Sequence, residues 1–377
     1  MKIPRFYDNL GEYVKPNKAL VIYGPRRVGK TTLLNNFLAG CEMKYRLDSG
    51  DDIKVREILS SQDFDILKNY AADYELIAID EAQRIPNVGY GLKILVDQIP
   101  GIKIIATGSS SFELSGQVGE PLTGRKNTLV LYPVAQLELE KVKSRFDLKN
   151  ELARYLVFGG YPEVIAATSD KERAKILQEI VNSYLLKDIL EIEQVKGSKL
   201  LLDLLRLVAF QVGGEVSLSE LADRLQIDYK TVGRYLDLFE KSFVLYNLRG
   251  FSRNLRKEIT KKSKYYFYDN GVRNAVISNF NGLDLRDDIG ALWENFLVIE
   301  RLKRNSYREI FSNNYFWRTW DQKEVDFVEE REGKLFGYEF KWGDKSANKS
   351  NRDEWLSIYS EASLENVNST NYFDFII

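Results

Sequence analysis

The stretch "YGPRRVGKTTLL", Tyr23 to Leu34, decides the fold. Before it, "ALVIY" (Ala19 to Tyr23) is a short, partly β-branched apolar run that reads as a buried strand. After it, Thr31 to Gly40 places Leu33, Leu34, Phe37 and Leu38 at helical spacing, with Gly40 as the stop. Gly24, Gly29, Lys30 and Thr31 between them satisfy G-x-x-x-x-G-K-[ST]. Glycines let the backbone curl until successive N–H groups point inward, and the helix N-terminus adds partial positive charge. Gly24, Pro25, Arg26, Arg27, Val28, Gly29, Lys30, Thr31 and Thr32 are therefore expected to cradle a nucleoside triphosphate. Lys30 is placed to reach the β- and γ-phosphates, and the Thr31 hydroxyl to ligate Mg²⁺.

Such a cradle needs an acidic partner. In "ELIAIDEA", Glu75 to Ala82, Asp80 and Glu81 close an apolar strand. The carboxyl ends of strands in an open α/β sheet face the ligand crevice. Asp80 is expected to hold Mg²⁺ through water, and Glu81 to orient or deprotonate the attacking water. A third strand, "KIIATGSSSFEL", ends on Thr107, Ser109, Ser110 and Ser111. These hydroxyls either touch the γ-phosphate or the attacking water, as catalytic groups at Thr107 and Ser109, or form a turn with Ser111 as a helix N-cap. Arg125, in "GEPLTGRKNTLVLYPV", is the candidate arginine finger, acting on its own chain or a neighbour; the other reading is a solvated loop arginine. Thr128 to Val134 reads as the following strand.

The 377 residues exceed what one core usually serves. Hydrophobic residues at 44% and charged residues at 29% fit a soluble globular chain. A net charge of -1 points to no partner, so any nucleic-acid surface must come from local clustering. Histidine is absent, which removes His-based acid–base chemistry, Ser-His-Asp triads and His-ligated zinc. The single Cys41 excludes an internal disulfide framework and fits a reducing, cytoplasmic location. The first residues lack the apolar core of a signal peptide, and no run of 18 apolar residues suggests a membrane span.

Taken in order, "GPRRVGKTTLL", "LIAIDEAQRIP", "ATGSSSFEL" and "LTGR" resemble the AAA-type ATPase domain of a large prokaryotic family. Members of that family also carry a winged helix and a C-terminal domain resembling PD-(D/E)xK restriction endonucleases. The resemblance implies a multidomain α/β chain: a P-loop NTPase (AAA-type) core over 1–140, a helical lid over 141–197, a winged helix over 198–285 and a restriction-endonuclease-like α/β domain over 286–377.

The residues beyond the core are read in that frame. Lys143 to Val195 is helical by period and broken by "FGGYPE", a helix–helix turn. Three helices follow from Lys199, the second opened by Ser217 with Glu220 three residues on. Two strands come next, "FVLYNLRG" and "KYYFYDNGVRN", to give a winged helix-turn-helix plan. Its third helix is expected to expose Tyr229, Lys230, Arg234 and Tyr235. Arg249 to Lys264 holds seven basic residues and one acidic, a local net of +6, suited to a phosphate backbone or to a solvated face. Lys230, Arg234, Arg256, Lys257, Lys261 and Lys262 are the candidate contacts to double-stranded DNA.

In the last segment Glu294 lies on a helix, Asp326 in "EVDFVEE", and Glu339 and Lys341 at i and i+2 in "LFGYEFKW", with a hairpin turn at "REGK". By resemblance to PD-(D/E)xK nucleases, Glu294, Asp326 and Glu339 imply a second metal site, with Lys341 positioning water or the phosphate. Val325 stands where that pattern has proline. The tail "NYFDFII" reads as a final strand. Three functions are consistent with these readings. One is an ATP- and Mg-dependent ATPase acting as a switch or motor on DNA or a DNA-bound protein, alone or as a homo-oligomer. A second is an ATP-gated, metal-dependent nuclease. The third is an ATP-binding adaptor whose later domains contact proteins.

Overall fold

A computed structural model of the chain describes residues 3–108, 121–185, 198–251, 263–319, 322–343 and 349–377. These fall into two compact units, residues 2–132 with 241–243 and residues 133–240 with 244–377. The three segments read from sequence as domains after residue 140 lie together in the second unit.

The first unit is a five-stranded parallel sheet with helices between its strands. Its elements are β1 (Lys18–Tyr23), α1 (Lys30–Ala39), β2 (Tyr45–Ser49), α2 (Ile53–Ser60), α3 (Phe64–Ala71), β3 (Leu76–Asp80), α4 (Val88–Gln98), β4 (Lys103–Gly108) and β5 (Lys126–Val130). The strand order is β2-β3-β4-β1-β5, and every pairing is parallel. The carboxyl ends of β1, β3 and β4 therefore share one edge. Leu20, Val21, Ile22, Ile77, Ala78, Ile79, Ile104, Ile105 and Ala106 are at most 1% exposed, which explains their near-continuous apolar runs. Each large side chain so buried contributes about 1.5–3 kcal/mol. Strand β2, "YRLDS", has no apolar run because it is the half-exposed edge strand. The strand expected over Thr128 to Val134 instead spans Lys126–Val130.

The second unit opens with short helices α5 (Gln136–Leu139), α6 (Arg145–Asn150), α7 (Leu152–Phe158), α8 (Pro162–Ala166) and α9 (Asp170–Glu179). The break at Gly159-Gly160 is more than a turn. Gly159 has φ +71°, and a Cβ there would meet the Asp269 carboxylate at 2.0 Å. The Gly160 N–H donates to Asp269 Oδ2 at 2.7 Å, so the glycine pair receives a carboxylate from about a hundred residues downstream. Burial pushes that Asp269 carboxyl up to about 6.

Helices α10 (Ser198–Phe210), α11 (Leu218–Leu225) and α12 (Tyr229–Lys241) follow, with β6 (Glu215–Val216) ahead of α11. Strands β7 (Leu245–Gly250) and β8 (Ser263–Phe267) pair antiparallel as expected, and β6 adds to β8. The residues after β8 do not continue the strand. Asp269 accepts from the Val272 N–H at 3.1 Å and caps a helix, α13 (Asn270–Val276). Ser217 caps α11 by accepting from the Glu220 N–H at 3.4 Å. Ser217→Ala should lower unfolding stability by about 1 kcal/mol, measured as a shift in denaturant midpoint at constant slope.

The remaining elements are α14 (Ile289–Tyr307), β9 (Asn313–Arg318), β10 (Glu324–Arg331), β11 (Lys334–Phe340), α15 (Lys349–Ile358), β12 (Ser363–Val367) and α16 (Tyr372–Ile376). The β10–β11 turn is the expected hairpin, with Glu332 and Gly333 both at positive φ. The tail is a helix rather than a strand. Tyr372, Phe373, Phe375 and Ile376 are buried at i, i+1, i+3 and i+4, the spacing of one helical face. Parallel pairing of β7 with β9 at Arg249↔Tyr315 and Gly250↔Phe316 joins both sets of strands. The result is one seven-stranded sheet, β12-β11-β10-β9-β7-β8-β6. Beside it, Arg301 makes a buried two-pronged ion pair with Glu329, both contacts at 2.7 Å. Asn305 donates to the same Glu329 at 2.7 Å, so the buried carboxylate is fully committed.

Candidate active site

The turn after β1 has the curl that its glycines predict. Gly24 sits at φ +149°, and a Cβ there would come within 1.9 Å of the Leu131 carbonyl oxygen. No other residue fits, because the segment after β5 closes the space a side chain needs. Arg27 and Gly29 also take positive φ, 61° and 96°. Lys30 opens α1 and is 6% exposed; its ammonium donates to the Gly24 and Pro25 carbonyls at 2.8 and 2.7 Å. The cation is thus held at the centre of the loop. Thr31 and Thr32 are exposed at the helix mouth, while Val28 is buried beneath it.

The acidic partner lies where the parallel sheet dictates. The Thr31 hydroxyl donates to Asp80 Oδ2 at 2.8 Å, across 49 residues of sequence. The Thr107 hydroxyl, fully buried at the end of β4, donates to the other oxygen, Asp80 Oδ1. The same hydroxyl oxygen accepts from the Glu81 N–H at 3.3 Å. Strand β4 lies between β1 and β3, so Thr107 tethers the acidic tip and does not stand alone as a ligand group. Glu81 has left-handed backbone angles, φ 52° and ψ 38°. Such a non-glycine conformation is costly and turns the chain sharply just past Asp80. Its carboxylate accepts from Gln83 Nε2 at 2.6 Å.

Two residues of this site escape a reading of the sequence. Arg5 is 6% exposed; its guanidinium donates to the Val28 carbonyl and, at 2.6 Å, to the Tyr132 carbonyl. It braces the loop from below, and nothing in "KIPRF" marks it. Gln83 is 6% exposed and fixes the Glu81 carboxylate; only its position two residues past the acidic pair hints at the role.

Arg125 is not at this edge. It precedes β5, whose Lys126 pairs with Ala19 at the start of β1, and the Ala19 N–H donates to the Arg125 carbonyl at 2.9 Å. Five strand residues, roughly 16 Å, separate that end from Gly24. Its guanidinium pairs with Asp97 at the end of α4. An action on its own chain's cradle is therefore ruled out in this geometry. Ser109 lies outside the described residues.

In the second unit, the expected DNA-facing residues divide. Tyr229, Lys230 and Arg234 are exposed on α12, but Tyr235 is 5% exposed and points into the core, on the same helical face as Val232 and Leu236. Arg256, Lys257, Lys261 and Lys262 lie outside the described residues. Lys264, counted with the basic run, is 2% exposed and withdrawn from solvent.

Of the C-terminal carboxylates, Glu294 and Asp326 lie within electrostatic reach of each other, and each already has protein partners. Among the described residues, no group of three or more Asp, Glu or Cys side chains is arranged to hold a metal ion. Asp326 Oδ2 accepts from the Phe340 N–H at 2.7 Å. Burial and the nearby Glu294 charge raise its carboxyl to about 7. Glu294 Oε1 accepts from Tyr266 at 2.7 Å and from the Lys264 ammonium at 3.2 Å. Glu339 is 1% exposed, and Lys341 falls just past the end of β11, its N–H donating to Val367 at 3.0 Å. A cation already lies among these acids, and it is a lysine.

Comparison with known proteins agrees with the first unit's geometry. Residues 16–140 match the AAA domain family. Residues 149–283 match a domain of unknown function (DUF8612), and residues 289–368 another (DUF4143). An uncharacterized protein of Mycobacterium tuberculosis is 27% identical over 327 residues, covering 85% of this chain and 70% of that protein. An uncharacterized protein of Methanocaldococcus jannaschii is 27% identical over 382 residues, covering 94% and 81%. A crystal structure of a Signal Transduction ATPase with Numerous Domains (STAND) protein from Pyrococcus horikoshii aligns at 16% identity and a TM-score of 0.28. That alignment covers 76% of this chain and 43% of that one, and at that score it carries no argument. On the family match and the cradle geometry, residues 16–140 are similar to the AAA domain family. Among the described residues, no helix is long and apolar enough to cross a membrane.

Proposed function

We propose that the chain binds ATP in the Gly24–Thr32 cradle and hydrolyses it with Mg²⁺, as a nucleotide-driven switch or motor acting on DNA or a DNA-bound partner. The observation that carries the reading is the 2.8 Å contact between the Thr31 hydroxyl and the Asp80 carboxylate. A hydroxyl and a carboxylate gathered at a helix N-terminus form the hard oxygen donor set that Mg²⁺ takes, beside a loop too tight for any side chain at Gly24. Thr31 and Asp80 would hold the ion, which when bound neutralises phosphate charge.

The chain's own groups do the rest. The curled backbone and Lys30 bind and orient the phosphates; Asp80 is kept in place by Thr107. Glu81, fixed by Gln83, is the group that orients and deprotonates water. The DNA part rests on exposed Lys230 and Arg234 on α12, read as the third helix of a winged helix, and on the basic run between β7 and β8. Purified protein should release phosphate from ATP only with Mg²⁺ and stop in EDTA. Its affinity for duplex DNA should fall steeply with salt, and neutralising Arg256, Lys257, Lys261 and Lys262 should flatten that slope by about one per lost phosphate contact. Metal-independent turnover would remove the hydrolytic reading; a salt-insensitive interaction would replace DNA with a protein partner.

A further inference from the structure

The charged cluster of the second unit gathers from three elements: Glu294 on α14, Glu324 and Asp326 on β10, and Lys264 on β8. The Lys264 ammonium, 2% exposed, lies 3.2 Å from Glu294 Oε1 and 2.5 Å from Glu324 Oε1. Tyr266, fully buried on the same face of β8, donates to that same Glu294 oxygen at 2.7 Å. Arg318 lies 3.9 Å from the far oxygen of Glu324, and Gly213 packs against the Glu294 carboxylate, where a Cβ would stand 3.2 Å from its carbon. The polar atoms of Glu294 and Glu324 are thus turned inward onto a lysine.

We propose that Lys264 is the resident cation of this cluster, a built-in replacement for the divalent metal that the nuclease-like pattern implies. Within that pattern the competition is at Glu294, whose Oε1 already takes two donors, and the neighbouring Glu324 Oε1 holds the ammonium at 2.5 Å, so an ion binding Glu294 Oε1 would have to displace it. Two cations cannot share that oxygen without mutual repulsion that burial makes severe. Burial disfavours a lysine charge, but Glu294, Glu324 and Asp326 outweigh it, so the ammonium is held more firmly charged than a free lysine. The lysine joins β8 to α14 and β10, which ties the segment after the three helices to the C-terminal strands. The cluster is a clasp of one lysine among three carboxylates through the seven-stranded sheet, and a divalent metal has no place at Glu294 while the lysine holds it.

The test uses full-length, nucleotide-free protein carrying Asp80→Asn, so that the cradle contributes no metal response. Melting temperature is followed with and without MnCl₂. With Lys264 present, Mn²⁺ should leave the melting temperature unchanged. Lys264→Ala should melt lower in EDTA and regain at least about 2 °C with Mn²⁺, a gain abolished by adding Glu294→Gln. Lys264→Arg keeps a cation and should give no Mn²⁺ response. The proposal is overturned if the Lys264 protein responds to Mn²⁺ in a Glu294-dependent way. It is equally overturned if folded Lys264→Ala gains no response. Should Lys264→Ala fail to fold, the Lys264 protein decides alone, through Mn²⁺ titration compared with its Glu294→Gln variant.

Discussion

Lys30→Ala should weaken ATP binding at least about 100-fold while leaving the fold intact. The ammonium is nearly buried and is held at the loop centre by two carbonyls, with no need to order a floppy chain when phosphate arrives. A unit charge at about 4 Å from a phosphate, at an effective dielectric near 20, is worth about 4 kcal/mol. Even half of that, after desolvation, is more than a tenfold loss, and the phosphates carry several charges. Alanine is also the best helix former, so α1 should persist. Titration with a fluorescent ATP analogue, with circular dichroism as the control for folding, measures the effect. A folded variant that binds within threefold of the parent would show that the cradle does not hold phosphate through this side chain.

Glu81→Gln should do the opposite: binding retained within about threefold, turnover lowered by about 100-fold or more. The change removes one charge and no volume. The backbone that gives Glu81 its left-handed turn is tied through its N–H to Thr107, which the substitution does not touch. Gln83 can still hydrogen-bond the new amide oxygen. What disappears is the ability to accept a proton from water, a role worth about 10²–10⁴ in rate. Binding and single-turnover phosphate release, measured on the same preparation, separate the two effects. Parent-like hydrolysis by Glu81→Gln would move the base elsewhere. Loss of binding alone would make Glu81 part of the cradle.

Several features of the candidate site were legible in the chain because they depend on local chemistry. A turn that must approach another backbone demands glycine at Gly24, and a parallel strand buried on both faces demands the runs around Val21, Ile79 and Ile105. The end of such a strand is where a ligand meets the sheet, so Asp80 and Glu81 could be assigned from the apolar residues ahead of them. Thr107 could be placed at the site but not given its task, because its bond to Asp80 depends on β4 lying between β1 and β3. Whether Arg125 could act on its own chain was left open for the same kind of reason: which end of a strand a flanking residue occupies is known only once the pairing is known.

Lys264 shows the limit most clearly. It belongs to a run of basic residues, and by composition it should face solvent. Its alternation with Tyr266 along β8 was the available signal that it points inward with that tyrosine. Only the joining of β7 to β9 shows what it points at, since that pairing builds one sheet from segments that read as separate domains.

By itself the sequence determined the glycine-bracketed turn, the acidic strand end beside it and the helical and strand character of most elements, because short-range sterics and periodic burial act within a few residues. The tertiary structure alone decided which end of the sheet Arg125 occupies, which glycines receive Asp269, and that a lysine stands among the C-terminal acids. Those outcomes follow from strand order and long-range packing, and the forces that set them act between residues that are neighbours only after the chain has folded.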